Sequence, residues 1–460
     1  MTSARRDLLL LAAAFLLSLP LVTTRIYASD EVQYFSYLRS LWFDRDVSFE
    51  NEYRYFYDTG VTQYAGFHET FLERTTDTGR RVNFATLGSA VLWSPFYAAA
   101  DASVRFRGGT ADGFAPPYVT AVAYASALYG WLAVVLGWWM ARRIVGPIGP
   151  LAAAFAVWAG TPLFFYMYVA PPMSHATSAF AVAGFLAAWI VVRGEWRARG
   201  LIALGALAAL MTMVREQDVF VVVGPAVDWV WTFVRVPRDR TAERRRMVLG
   251  VLAGCAAFAA AYLPQLMAYQ ALNGYPGPSR FVSRKMNWMA PHALSVVLSP
   301  RHGFFFWTPL AAAAAAGLAV LARRGAAAAV TPLPRPTALA IGLLLVVALQ
   351  IYVAGSVESW TVAGAFGQRR FVGLSSVLIV GTAMLWSIAR TRGARIAVAC
   401  GLALAIWWNI GLMAQFGSGL MDRQRLEPGR NAYHTFVTIP ARLPELVYRY
   451  VFERSTFYRK

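Results

Sequence analysis

The chain has 460 residues, 58% of them hydrophobic, and a net charge of +19. That apolar fraction excludes an ordinary soluble protein of this length, and its repeated apolar runs approach the ~20 residues that cross a bilayer. The positive charge falls between those runs rather than in one basic face, which argues against nucleic acid as its partner, and Cys255 and Cys400 sit inside apolar runs, so no disulfide framework or metal cluster is indicated.

The first apolar run, Leu8 to Val22, follows Arg5 and Arg6. Its basic start also fits a cleaved leader, but Ile26-Tyr27-Ala28 is a poor small-residue cleavage site. Where this run reaches the opposite surface stand Ala28-Ser29-Asp30-Glu31, and charge at a membrane boundary needs a reason. Val32, Phe35, Leu38, Leu41 and Trp42 then recur at helical spacing, with Ser36, Arg39 and Ser40 opposite. The pattern predicts a helix lying on the outer membrane surface, with Ser29 as N-cap and both acids in the first turn, where the dipole favours ionised carboxylates.

Residues 26–117 form the largest outer loop, with twelve acids. Asp44-Arg45-Asp46 matches the Asp-x-Asp of metal-dependent nucleotide-sugar transferases, although a solvated helix end is the plainer reading of so short a match. Val82 to Ala102 is expected to be a buried or interfacial helix, because a full crossing would turn every later arginine-rich loop outward.

Further spans are expected near 118–141, 150–169, 174–192, 201–214, 219–234, 247–270, 304–322, 337–354, 371–389 and 396–414, eleven with the first near 8–25. With the N-terminus inside, the later cytoplasmic loops hold seventeen arginines, against six arginines and a lysine in the outer loops that alternate with them. That bias sets the orientation and puts the 415–460 tail outside. His175, after Pro171-Pro172-Met173-Ser174, reads first as a helix-end cap and second as a substrate contact. Leu201–Val214 and Val219–Val234 are short for a crossing. Arg215, Glu216 and Asp218 between them should therefore lie below the outer surface and need one another or a water-filled cavity.

Neither a Walker loop nor a dinucleotide-binding glycine motif is present, which disfavours an ATP-driven pump. Two outer stretches run against the sorting of arginine to the cytoplasm. They are Ser299-Pro300-Arg301-His302-Gly303, leading to Trp307-Thr308-Pro309, and Glu358-Ser359-Trp360 followed by Phe366-Gly367-Gln368-Arg369-Arg370-Phe371. A single arginine there reads as snorkelling to lipid phosphate, but three beside histidine, glutamine and aromatic residues point to an anion site.

A membrane helix, an Asp-Glu pair and then an amphipathic helix resemble the opening of the GT-C membrane glycosyltransferases, among them protein O-mannosyltransferases and aminoarabinose transferases. The likeness is strongest from Ser29 to about Tyr97, through Leu87-Gly88-Ser89 and Trp93-Ser94-Pro95-Phe96-Tyr97, and returns in the two arginine-bearing stretches. It implies an all-α polytopic membrane protein of the bacterial plasma membrane, with a transmembrane domain over 1–414 that carries the catalytic outer loop, and a short outer tail. It implies transfer of a sugar from a polyprenyl-phosphate donor to a lipid, glycan or protein acceptor, with inversion. Asp30 would be the general base and Glu31 would orient the acceptor or Asp30. Arg301, His302, Gln368, Arg369 and Arg370 would hold the donor phosphate, with Arg215 and His175 as further contacts. Members of that family differ in metal use, and no complete metal site is legible here. The alternative is a transporter or flippase of a lipid-linked saccharide. Against it, the charged groups gather on one side, and neither a repeat nor paired broken helices at mid-membrane are visible.

Overall fold

The structure is a computed structural model and describes residues 3–324 and 336–457. The linker over 332–335 and Lys460 lie outside the described residues. Helices account for the regular structure, and the β-pairing described is two isolated bridges, Thr75 with Arg81 and Met286 with Val357. Among the described residues, six helices are long and apolar enough to cross a membrane: Pro116–Ile144, His175–Val192, Thr241–Asn273, Pro336–Ser356, Arg369–Ile388 and Arg392–Ser418. Pro150–Gly160 and Pro162–Tyr168, bent by 66°, make a seventh if they count as one span. The remaining expected spans are helical but shorter: Ser3–Ser18, Ala198–Val214, Pro309–Arg324, and Glu216–Val222 continuing as Val223–Phe233.

The bend has a local cause. Pro162 cannot donate a backbone hydrogen bond and pushes Thr161 into extended conformation, at φ −134° and ψ 166°. Asn409 Nδ2, from the Arg392–Ser418 helix, donates to Ala159 O at 2.8 Å and Thr161 O at 3.0 Å. Carbonyls released at the break are thereby satisfied away from water. Small residues set other approaches. A methyl at Gly205 would overlap the Gly254 carbonyl, so Ala198–Val214 and Thr241–Asn273 touch backbone to backbone.

Asp228, which interrupts an otherwise apolar stretch, is fully buried and paired with Arg193. Arg193 Nε and Nη2 donate to its two oxygens at 2.8 and 3.2 Å, and Trp189 Nε1 donates at 3.0 Å. Arg193 is therefore not a free loop charge, as its place in a cytoplasmic loop suggested. It fixes the end of His175–Val192 to Val223–Phe233.

The first outer loop is a folded unit with its own core, in which Phe35, Tyr53, Phe56, Phe67, Trp93 and Tyr97 meet. The helix expected on the membrane surface is Ser29–Arg39, and it runs through this core. Val32, Phe35 and Leu38 are buried as the spacing predicts, but so is Ser36 opposite them, while Leu41 and Trp42 are partly exposed in the π-turn that follows. Arg39, expected on the polar face, turns inward to pair with Asp44 and with buried Glu52. The N-cap is Ala28, one residue before the expected Ser29. The Asp-x-Asp carboxylates close the turn: Asp44 accepts from Arg39 and Asn51, and Asp46 from Ser40 Oγ and the Ser48 N–H.

The Val82–Ala102 region holds the helix Gly88–Phe106, which is not among the helices long and apolar enough to cross by length and composition. Gly88–Phe106 packs against Pro116–Ile144 and Ser29–Arg39. Its start is stitched to the bundle: Thr86 Oγ1 donates to Val214 O at 2.9 Å, and the Leu87 N–H to Gln265 Oε1 at 2.8 Å. A side chain at Gly88 would collide with the backbone of Met213 and Val214. The first loop is thereby seated beside the Arg215 turn.

Candidate active site

Asp30 stands in the first turn of Ser29–Arg39, and Arg369 Nη1 donates to its Oδ2 at 2.6 Å. The Asp30 side chain is 39% exposed and that of Arg369 22%, so the pair is open to a ligand but partly desolvated. The loop before Arg369 reaches Asp30 through Gly367, whose φ is +59° and where a Cβ would lie 2.6 Å from Pro162 Cγ. Only glycine meets both demands without strain.

Arg215 turns away from both acids of its own turn. Its Nη1 lies 2.8 Å from His175 Nδ1 and 3.4 Å from Ser174 Oγ, and its Nη2 donates to Gln217 Oε1 at 3.2 Å. A guanidinium has no acceptor, so His175 Nδ1 must be the acceptor and the ring proton lies on Nε2. Glu216 accepts from Tyr269 OH, and buried Asp218 accepts from Ser178 Oγ at 2.6 Å. Gln217 Nε2 and Gln350 Nε2 both donate to the Arg370 carbonyl, at 2.9 and 3.0 Å, which ties the Arg215 turn to the arginine pair. Arg370 donates to Ser359 O at 2.9 Å, within electrostatic reach of Arg369, Arg215 and Asp30. Arg369 thus pairs with Asp30, and Arg370 lies within electrostatic reach of that pair and of Arg215.

Tyr34, one helical turn after Asp30, completes this group. It sits against Ser174, Arg215, Asp30 and Arg369, and burial raises its phenol above the ordinary range. Sequence reading passed over Tyr34, Ser174, Gln217 and Gln350. The i, i+4 spacing from Asp30 was available for Tyr34, whereas Gln350 lies inside an apolar run and carried no signal.

Glu31 is buried and has another task. Its Oε2 accepts the N–H groups of Tyr27 at 2.6 Å and Ala28 at 3.0 Å, half of a capping box whose other half Ala28 cannot supply. Burial, helped by the Asp30 charge, pushes its carboxyl up to about 7 against the pull of those two N–H groups.

His302 and Gln368 hold the arginine loop from behind. His302, buried and at φ +63°, stacks on Trp307 at 4.6 Å and donates from Nε2 to Ala365 O at 2.8 Å. Burial lowers its imidazole to about 4, so it is neutral. Buried Gln368 donates to His302 O at 3.1 Å and Trp360 O at 2.9 Å. Arg301 is exposed, and its side chain makes no hydrogen bond or ion pair with the described residues. Among the described residues, no three His, Cys, Asp or Glu side chains converge as metal ligands.

The architecture is a GT-C-like helical membrane bundle with a folded first loop. No protein-family model matches the chain, and no curated protein sequence does. Among solved structures it is similar to the archaeal oligosaccharyltransferase AglB from Archaeoglobus fulgidus, solved with an inhibitory peptide and a dolichol-phosphate. The TM-score is 0.50 at 14% identity, over 98% of this chain and 56% of AglB. It is also similar to ArnT from Cupriavidus metallidurans bound to undecaprenyl phosphate, with TM-score 0.50 at 14% identity, over 98% of this chain and 74% of ArnT. The chain thus spans little more than half the length of AglB. At this identity the likeness is one of fold.

Proposed function

We propose that this chain is a membrane glycosyltransferase that moves a sugar from a polyprenyl-phosphate donor to an acceptor hydroxyl on the extracytoplasmic face. The observation that carries the reading is the pairing of Arg369 with Asp30, with Arg370 and Arg215 beside that pair, at the end of the bundle where the first helix emerges. Both similar structures were solved with a lipid phosphate, which supports a donor of that class.

The resting pair suggests an order of events. In the resting pair Arg369 Nη1 occupies Asp30 Oδ2 at 2.6 Å, where an acceptor hydroxyl would have to bond. A donor phosphodiester carries one negative charge, as the carboxylate does, and presents two non-bridging oxygens for charge-assisted bonds to arginine. It competes for Arg369 and so frees Asp30 when the donor is seated. The acceptor O–H then gives its proton to Asp30 while its oxygen bonds the anomeric carbon. The anomeric C–O bond to phosphate breaks, and its electron pair leaves on the phosphate oxygen. Charge gathering there is offset by Arg369, Arg370 and Arg215 in a partly desolvated site. One displacement inverts the anomeric centre. Glu31 fixes the turn that aims Asp30, and Tyr34 borders both the base and the phosphate site.

Purified protein in detergent, given a panel of polyprenyl-phosphate sugars, should release polyprenyl phosphate by transfer or hydrolysis. Movement of a lipid-linked saccharide across sealed vesicles, with no release in detergent, would make it a flippase instead.

A further inference from the structure

The segment after the last long helix takes no part in the site. From Pro428 to Phe452 the chain is continuously helical: Pro428–Tyr433, a π-turn over His434–Thr438, then Ile439–Phe452. It packs on Arg392–Ser418 well below that helix's end. Trp407 Nε1 donates to Thr435 O at 3.1 Å, and Gln415 Nε2 donates to Thr435 Oγ1 at 2.9 Å. A methyl at Gly411 would press on Thr435 Cγ2. Gly411 and Trp407 lie about 10 and 16 Å before Ser418 at the helical rise, inside a helix apolar enough to span. The other end of the segment returns to the outer end of the first helix. Tyr450 OH donates to Leu21 O at 2.9 Å, and Arg454 donates to Val22 O at 2.7 Å and Pro20 O at 2.8 Å. Both ends are thus fixed at one end of the bundle while the middle sits lower, so the helix lies across the bundle and does not pass through.

Its faces are sorted. Ile439 and Leu446 are buried against the protein with Phe457, while Leu443, Val447, Tyr448, Val451 and Phe452 are exposed. At 100° per residue the exposed apolar side chains continue the arc begun by the buried ones, and Arg442, Glu445 and Arg449 occupy a narrow strip between. These three charges pair among themselves. The exposed arc adjoins the Arg392–Ser418 helix, which also presents apolar side chains outward, Ile396 and Leu404 among them.

We propose that residues 428–452 form an amphipathic helix embedded in the membrane leaflet on the Asp30 side, with phospholipid acyl chains as its partner. The depth fixed by Trp407 and Gly411 puts Thr435 at acyl-chain level beside exposed Phe436 and Val437, the apolar arc runs on from there toward Pro20–Val22, and the narrow charged strip belongs among headgroups. A tail in bulk water would leave five large apolar side chains solvated with no cover. The embedded helix also clamps Pro20–Val22, eight residues before Asp30, and so ties the start of the catalytic turn to the lipid surface.

Site-directed spin labelling in phosphatidylethanolamine–phosphatidylglycerol proteoliposomes tests this, in a chain whose Cys255 and Cys400 are replaced by serine. Nitroxides introduced at Val447→Cys, Val451→Cys and Phe452→Cys should collide several-fold more with oxygen than with a water-soluble nickel chelate. Labels at Arg442→Cys and Glu445→Cys should show the reverse. Nickel-dominated collisions at all of the first three would return the segment to water and overturn the proposal. Inaccessibility to both reagents would also overturn it, because protein, such as a second copy, would then cover the arc. Three apolar positions are used so that one poorly folding variant does not decide the outcome.

Discussion

At the level of single side chains, the pairing of Asp30 with Arg369 separates two roles that a list of charges leaves mixed. Asp30→Asn keeps shape and one hydrogen-bond acceptor but removes the proton acceptor. Turnover should fall by at least the ~10²-fold typical of a lost general base, with membrane accumulation unchanged; near-normal turnover would exclude Asp30 as base. Arg369→Lys should recover only part of the activity lost in Arg369→Ala, because lysine cannot grip phosphate bidentately. Arg301→Ala should change donor KM less than either, since Arg301 stands free and exposed. Glu31 predicts a pH effect. Its folded-state carboxyl lies near 7 against an ordinary value of 4.5, so the fold favours the protonated form. That contribution is complete below about 4.5 and is lost as pH rises through about 7. Thermal stability of the wild type should therefore fall between pH 5 and 8 relative to Glu31→Gln, which keeps an acceptor for the Tyr27 and Ala28 N–H groups and does not titrate. Parallel melting curves for the two across that range would show that Glu31 does not ionise there.

At the level of elements, the first loop is a folded unit seated on the bundle through a close backbone approach at Gly88. Gly88→Ala forces its methyl into the backbone of residues 213 and 214. Such overpacking costs about 1–3 kcal/mol, and it should lower the melting temperature and, by shifting Asp30 against Arg369, turnover as well. Breaking the Arg193–Asp228 pair should cost more, about 3–5 kcal/mol, because Asp228→Ala strands a buried guanidinium. A melting temperature unmoved by either change would mean that these contacts are not formed. The positions of these elements were largely legible in sequence, since apolar runs and their arginine-rich borders mark the helices one by one. Which side of a helix is buried was not. Ser29–Arg39 has a clear apolar stripe, yet Arg39 and Ser36 turn inward because Glu52 and the Val32 carbonyl wait there, and no local pattern announces a partner thirteen residues away. The site divides in the same way. Asp30, Arg369, Arg370 and Arg215 were visible as charges that defied their surroundings. His302 and Gln368 looked alike in sequence, but their hydrogen bonds are spent on backbone carbonyls, which only the folded loops reveal.

At the level of the whole molecule, the sidedness of the site rests on three helices rather than on the full count of crossings. Asp30 touches Arg369, so the loop between Ser356 and Arg369 lies at the Asp30 end of the bundle. Pro336–Ser356, which enters that loop, is long enough to cross by itself and puts Arg324, before it, at the opposite end. Arg369–Ile388 and Arg392–Ser418 then cross away and back, returning the tail to the Asp30 end, in agreement with the contacts of Tyr450 and Arg454 on residues 20–22. None of this depends on whether Ala198–Val214 or Pro309–Arg324 spans completely. We propose from the excess of arginine in loops on the Arg324 side that this side faces the cytoplasm. A reporter fused after Arg324 should accordingly give a cytoplasmic signal, and one fused after Phe457 an extracytoplasmic signal. The same signal from both would require one of the three long helices not to cross and would overturn this path of the chain. Opposite signals in reversed order would keep the fold and the charge pair but place the transfer reaction on the cytoplasmic surface.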